Sequence, residues 1–301
     1  MSNDMLTPVV FLVFNRPDTT KKIFEAIRQA QPKKLLVVAD GARLEQPGEV
    51  ERCTEVRSLI NTVDWECDVL TNYSETNLGC KQRVSSGLDW AFSLVEEAII
   101  LEDDCLPDPS FFRFCEEMLE MYRHDERVMM ISGTNMLEEW KSELQSYHFS
   151  YYGGIWGWAS WRRAWQYYDI EMSLWSSPEI KERIRDVLVD KEQYQSNKQA
   201  FDASYQGRID AWGYRWRFAR LIQSGLSIVP SVNLVSNIGF RDDATHTKTQ
   251  RSDLAEITTH QFQFPPKSSH FTVVDRDYDR KIFEKNTKKP PILTRIKNKL
   301  R

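Results

Sequence analysis

No stretch of the 301-residue chain approaches the ~20 consecutive apolar residues that a membrane span requires. There is no internal repeat and no low-complexity linker, which excludes solenoid, collagen-like and extended disordered classes. Cysteine is scarce: Cys53, Cys67, Cys80, Cys105 and Cys115 are an odd number, confined to the first 115 residues. None has CxxC spacing and no histidine lies in that region, so neither a zinc site nor a disulfide framework is expected. Five free thiols fit a reducing compartment. No sign of charge dominates, since 40 Lys and Arg face 44 Asp and Glu for a net −4. That balance argues against nucleic acid as the main partner. The opening MSNDMLTPVV has no basic start followed by an apolar run, so no secretory signal and a cytoplasmic location are expected. Glycine is missing until Gly41.

What remains is globular: 41% hydrophobic, 12% aromatic and 28% charged residues, in a chain long enough to bury a large core. The first 130 residues alternate between two periods. Short continuous apolar runs at 8–14 (PVVFLVF), 34–39 (KLLVVA) and 98–101 (AIIL) predict strands buried on both faces. Weaker strands are predicted at 68–70 and 128–131. Between them, Ile23, Phe24 and Ile27 share a helical face, which Asp18 can cap. Val50, Val56, Leu59, Ile60 and Val63 suggest a second helix, and Val84, Leu88, Ala91, Phe92 and Val95 a third. A fourth is read at 111–122. Alternating strands and helices predict an α/β, Rossmann-like, mostly parallel sheet flanked by helices. Ligands of such sheets bind beyond the carboxyl ends of the strands.

After residue 132 the alternation stops. Eight of the ten tryptophans lie between Trp140 and Trp216. Helices are predicted at 178–190, 193–205 and 211–224, and a strand at 226–229. The expected division is a ligand-binding subdomain at 1–132, an aromatic-rich lobe at 133–275 packed on the strand ends, and a basic tail at 276–301. Residues 285–301 carry seven basic groups and no acid. They are either a solvated tail, with a short helix lined by Ile292, Leu293, Ile296 and Leu300, or a tether to an anionic membrane surface.

The chemistry-bearing residues cluster after the strands. Asn15, Arg16 and Pro17 follow the first, Asp40 and Gly41 the second, and Glu102, Asp103 and Asp104 the fourth. Three adjacent carboxylates repel one another and are costly to bury unpartnered. A divalent cation, Mg²⁺ or Mn²⁺, resolves both problems, held by one or two carboxylates with water and substrate phosphates in the other positions. A solvated acidic turn is the alternative.

In this order, Asn15-Arg16-Pro17, Ala39-Asp40-Gly41, Asn77-Leu78-Gly79 and Leu101-Glu102-Asp103-Asp104 resemble the nucleotide-sugar half of a GT-A-fold glycosyltransferase. The pattern is similar to the N-acetylglucosaminyltransferase I type and to bacterial family 2-like transferases. The resemblance covers residues 7–132 and extends more weakly to about 246. It implies that Asn15, Arg16, Asp40 and Gly41 hold the nucleotide. It also implies that Glu102 and Asp103 sit near the ribose or donor sugar, and that Asp104 binds the metal. In the stretch from Asn77 to Gly87, Val84 stands where the family has an arginine, so Arg83 and Lys81 become the candidate phosphate-facing cations. Asp210, which opens Asp-Ala-Trp-Gly-Tyr-Arg-Trp, is the candidate catalytic base, a helix N-cap being its other role; Asp169 and Glu171 are in reserve. His246 is a candidate metal ligand or phosphate contact.

The aromatic stretch has two readings. Trp156, Trp158, Trp161, Trp165, Tyr151, Tyr152, Tyr167 and Tyr168 form either a carbohydrate floor or, with Trp158, Trp161 and Trp165 at helical spacing, core. Gly153 and Gly154 allow close backbone approach beside a donor sugar, which places Gly154 and Trp156 in the expected donor site. The expected activity is metal-dependent, inverting transfer of a hexosyl or N-acetylhexosaminyl group from a nucleoside diphosphate sugar, UDP first, to a glycan or lipid-linked acceptor in surface polysaccharide or glycan assembly. If the basic tail is a tether, the expected membrane contact is peripheral, at the inner face of the plasma membrane. The alternatives are a sugar-1-phosphate nucleotidyltransferase, which the lack of a glycine-rich loop after the first strand disfavours, and a non-catalytic carbohydrate-binding protein.

Overall fold

A computed structural model describes residues 5–240, 257–267 and 271–287. Four parallel strands build the first half: β1 (Val9–Val13), β2 (Lys34–Ala39), β3 (Asp68–Tyr73) and β4 (Glu97–Glu102). Helices α1 (Pro17–Ala30), α2 (Glu49–Ile60), α3 (Gly79–Leu94) and α4 (Ser110–Met121) connect and cover them. Successive strand residues face opposite sides, which explains the continuous apolar runs. Phe11, Val37 and Leu101 pack toward α1, α2 and α4, while Val10, Val38 and Ile100 pack toward α3. Helix α1 begins with Pro17 in its first turn, and the Arg16 carbonyl accepts from the Thr20 N–H at 3.0 Å. Arg16 occupies the N-cap position, so Asp18 lies in the first turn and does not cap the helix.

The later residues complete the same sheet. After β5 (Cys105–Pro107) come β6 (Val128–Ser132), β7 (Tyr147–Ser150), β8 (Trp158–Trp161), β9 (Leu226–Pro230) and β10 (Val235–Asn237). The eight-stranded sheet among the described residues has the order β3-β2-β1-β4-β8-β6-β9-β7, and β5 and β10 form a separate antiparallel ribbon. Strand β8 is antiparallel to both β4 and β6 and lies between them. One sheet therefore runs through residues on both sides of position 132.

The aromatic stretch is mainly core, but not in the helical form its spacing suggests. Trp158 and Trp161 are the two ends of β8; three positions apart on a strand, they enter opposite faces of the sheet. Trp165 ends the short α5 (Arg162–Trp165) and stacks on Tyr168 at 4.3 Å. The helical layer consists of α6 (Pro178–Leu188), α7 (Lys191–Tyr205) and α8 (Gly213–Ile222). Its own small core has Trp175 against Phe201 and Phe218, with ring centres 5.2 and 5.4 Å apart. Trp158, Trp165, Trp212 and Trp216 interlock between this layer and the sheet, Trp158 stacking on Trp212 at 5.5 Å.

Residues 276–287 form helix α9 (Arg276–Thr287), which belongs to the folded body. Tyr278 and Ile282 pack with Tyr152 and Val229, and the Lys285 ammonium donates to the Met136 carbonyl at 2.7 Å. The short helix expected from Ile292 to Leu300 lies outside the described residues. No helix among those described is long and apolar enough to cross a membrane.

Asp279 on α9 is buried, accepting from Ser150 Oγ and the Tyr151 N–H. Burial pushes its carboxyl up to about 6, against those bonds and Arg276. Between the ordinary aspartate value and about 6, the folded state holds a proton that the unfolded chain has lost. Its contribution is therefore complete in acid and is lost as pH rises through 6, a loss of about 3 kcal/mol. Asp279→Asn removes this titration. The stability gap between wild type and variant should move by about 2 kcal/mol in the variant's favour from about pH 4.5 to pH 7. Urea titrations at both pH values measure it; a constant gap refutes the assignment.

Candidate active site

The cleft lies at the carboxyl ends of β1, β2 and β4 and has a volume of about 780 Å³. Asn15, Arg16, Asp40, Arg83, Glu102, Asp103, Asp104, Gly154, Trp156 and Asp210 all line it. Lys81 does not, although its neighbour Cys80 does. His246 lies outside the described residues. Gly41 follows Asp40 at the base of the wall, where the backbone of Thr76 leaves no room for a Cβ (2.4 Å).

Glu102 ends β4 and pairs with Leu12 of β1, and Asp103 and Asp104 follow directly. Asp104 Oδ2 accepts from Arg16 Nη1 at 2.8 Å and Oδ1 from Asn237 Nδ2 at 3.3 Å. Gly239 presses against this carboxylate so closely that a Cβ there would lie 2.2 Å from Oδ2. Asp103 is buried and accepts from the Phe14 N–H at 3.0 Å, which ties the β1 exit to the β4 exit. Burial, then the charges of Asp104 and Asp103, push Glu102 up to about 8, opposed by Arg16 and the Trp212 side chain. Burial and Asp104 push Asp103 up to about 7, opposed by Arg16 and the Phe14 N–H. Three carboxylates thus lie beside one guanidinium, and the proton affinity of Glu102 and Asp103 is raised by burial first and by their like-charged neighbours second.

This donor set fits a hard divalent cation. Among the described residues no group of three His, Cys, Asp or Glu side chains converges into a metal cage. Mg²⁺ and Mn²⁺ need no such cage, because one or two carboxylates suffice when substrate phosphates complete the shell. Asp104 and Glu102 are the residues that would hold the ion.

Several candidates are occupied by the protein itself. The Asp40 carboxylate accepts from the N–H groups of Gly41, Leu78 and Gly79 (2.9, 2.9 and 3.0 Å) and from Asn77 Nδ2 (3.1 Å). Burial raises its carboxyl, and these backbone donors oppose the rise. With both oxygens doubly bonded, Asp40 shapes the 77–79 wall of the cleft. Arg83 is buried and spans the ends of β2 and β3, donating to the Ala39 carbonyl at 3.0 Å and to Asn72 Oδ1 at 2.7 Å. Its guanidinium therefore clamps two strands. Asn15 Nδ2 donates to Glu49 Oε1 at 2.6 Å, and Arg43 holds both oxygens of the same buried Glu49. The Arg43 bonds draw Glu49 down to about 2, against its burial.

Asp210 lies against the 77–79 wall of the cleft. Its Oδ2 is 3.1 Å from where a Gly79 Cβ would be, and it acts with Glu102, Asp40 and Asp104 on the thiol of Cys80, whose pKa burial pushes up to about 12. Helix α8 starts at Gly213 with Trp212 in the N-cap position, so Asp210 caps nothing. It is exposed, and no described donor bonds to it. Buried Trp212, two residues on, anchors the loop that presents it. The reserve acids have other employment or none in the cleft: Asp169 accepts from the Ser173 and Glu171 N–H groups, and neither Asp169 nor Glu171 lines it. Trp156 is half-buried, edge-on to Phe240 at 5.5 Å. Gly154 packs on Thr134, where a Cβ would lie 2.8 Å from the threonine Cβ.

Tyr152, expected in the carbohydrate floor, lines the cleft, and Arg43, Asn237, Arg217 and Arg220 also line it and escaped sequence reasoning. For the last pair a signal existed, since their three-residue spacing on a predicted helix puts both on one face.

No protein-family profile matches the chain, and no curated protein matches it. Among solved structures it is similar to a mannosyltransferase from Pyrobaculum calidifontis in complex with GDP-Man and Mn²⁺, at 14% identity and a TM-score of 0.35, over 51% of this chain and 44% of that one. It is also similar to an apo UDP-glucose pyrophosphorylase, at 10% identity and a TM-score of 0.35 over 76% of this chain and 93% of the other. A third similarity is to mouse xyloside xylosyltransferase 1 in apo form, at 10% identity and a TM-score of 0.33 over 72% and 81%.

Proposed function

We propose that the protein is a metal-dependent glycosyltransferase of the GT-A type, moving a sugar from a nucleoside diphosphate sugar to an acceptor hydroxyl with inversion. UDP is the nucleotide proposed first, Mn²⁺ or Mg²⁺ the metal, and a glycan or lipid-linked sugar the acceptor. The observation that carries this reading is the surplus of carboxylates over cations at the mouths of β1 and β4, in one cleft with an exposed carboxylate, Asp210, that no described donor bonds. Residues 1–132 then serve the donor and 133–275 the acceptor.

When bound, the metal would neutralise charge growing on the departing diphosphate. The chain supplies the rest. Arg16 orients Asp104 and places a guanidinium beside the leaving group, favouring the transition state over the ground state. Asp40 holds the 77–79 wall rigid, and Asp103 fixes the two strand exits relative to each other. Gly154 and Trp156 offer a close backbone and an aromatic face to the sugar. Asp210, beside the 77–79 wall, takes the proton from the attacking hydroxyl.

A thermal-shift screen tests the reading. A UDP-sugar with Mn²⁺ at about 100 times its dissociation constant should raise the melting temperature by roughly 5 °C, and EDTA should remove most of that shift. The absence of a shift with every nucleotide sugar sinks it. Release of pyrophosphate in place of a nucleoside diphosphate overturns it in favour of nucleotidyl transfer.

A further inference from the structure

Arg217 and Arg220 stand three residues apart on α8 and line the same end of the cleft. Arg220 is 1% exposed. One Nη donates to Ser227 Oγ, while Nε has no partner. The charged neighbour acting on it is Arg217, a second cation, and burial with that repulsion lowers the guanidinium to about 9. Arg217 is half-buried between the rings of Tyr152 and Tyr214, 5.5 and 5.9 Å from their centres, and reaches Asn197 Oδ1 at 3.5 Å. No carboxylate among the described residues pairs with either guanidinium. The buried acid on nearby α9, Asp279, is turned to Ser150 and Tyr151.

A buried cation without a counter-ion is costly, and two side by side are more so. An anion entering the cleft relieves both, and the planar arginine fork matches phosphate oxygens. This end is remote from the carboxylates. Ser227 lies on β9, three strands from β4 in the sheet order, which is about 14 Å at the usual strand spacing. That spacing sets the Ser227 end of Arg220 apart from a diphosphate held beside Arg16 and Asp104.

We propose that the Arg217–Arg220 end of the cleft binds a phosphate group carried by the acceptor, so that the acceptor class is a phosphorylated glycan or a phosphate-linked lipid sugar. The word acceptor rests on the transferase reading above; the anion site itself does not.

Calorimetric titration with inorganic phosphate, in EDTA to silence the metal end, tests the site. Wild type should bind phosphate, with and without saturating UDP. Arg217→Gln and Arg220→Gln should each weaken that binding at least about tenfold, or 1.4 kcal/mol. Asp104→Ala should leave it unchanged. Arg217, being half-buried, keeps the test open if the Arg220 variant does not fold. Failure of wild type to bind, or full retention in Arg217→Gln, overturns the site. Competition by UDP assigns the arginines to the donor's diphosphate and overturns the acceptor assignment. UDP binding with Mn²⁺ in parallel samples of the same proteins without EDTA reads the transferase proposal separately, because its loss alongside retained phosphate binding removes the donor and leaves the anion site.

Discussion

Asp210→Asn is expected to lower the turnover of sugar transfer by about 10²–10⁴-fold, the range of a general base, while nucleotide binding stays within about twofold. The substitution keeps shape and removes the proton acceptor. Its structural cost should be small, because the carboxylate is exposed, caps no helix and accepts no bond from a described donor. The loop stays anchored through Trp212, stacked on Trp158. Steady-state rates with a fluorescent or radiolabelled donor measure the loss, and calorimetry with UDP and Mn²⁺ checks binding. Turnover within threefold of wild type would remove Asp210 from the chemistry. A parallel loss of nucleotide affinity would recast it as a binding residue.

Asp104→Ala is expected to abolish transfer, by at least about 10³-fold, and to weaken UDP binding only when Mn²⁺ is present. A metal and the groups around it stabilise growing diphosphate charge by several kcal/mol, and without Asp104 the remaining carboxylate that would hold the ion among the described residues is Glu102. In EDTA the variant should bind UDP no worse than wild type, since Arg16 loses its carboxylate partner at 2.8 Å and turns to the phosphates. Titrating both proteins with and without Mn²⁺ separates the outcomes. Equal loss in EDTA points to collapse of the 237–239 contact with Asp104, not to loss of a ligand, and far-ultraviolet circular dichroism checks that case.

The parallel half of the fold was legible because strands buried on both faces leave unbroken apolar runs, as in VVFLV of β1 and KLLVVA of β2. The antiparallel additions were not. Strand β8 is four residues, WASW, and its tryptophans mimic a helical spacing while serving opposite faces. Strand β7, YHFS, buries a histidine and a serine, and nothing local marks those as interior. Helix α9 hides its docking face in Tyr278 and Ile282 among charged neighbours, so RDYDRKIFEKNT read as tail.

The site divides the same way. The acidic triplet stood out because it directly follows AIIL. The roles of Asp40 and Arg83 did not, because what they bond depends on where the Leu78 and Gly79 amides and the Asn72 carbonyl arrive in space. Sequence order can place a charged residue at a strand end, but only the folded chain decides whether it turns to substrate or to its own backbone.

The seat of β8 between β4 and β6 limits how such a protein can be rebuilt. A chimera joined at residue 132 would take β8 from one parent and both its flanking strands from the other, so the graft must mate across three hydrogen-bonded seams of the sheet at once, β4–β8, β8–β6 and β6–β9. Exchanging acceptor preference by cassette is safer within 178–222, which contributes no strand to that sheet.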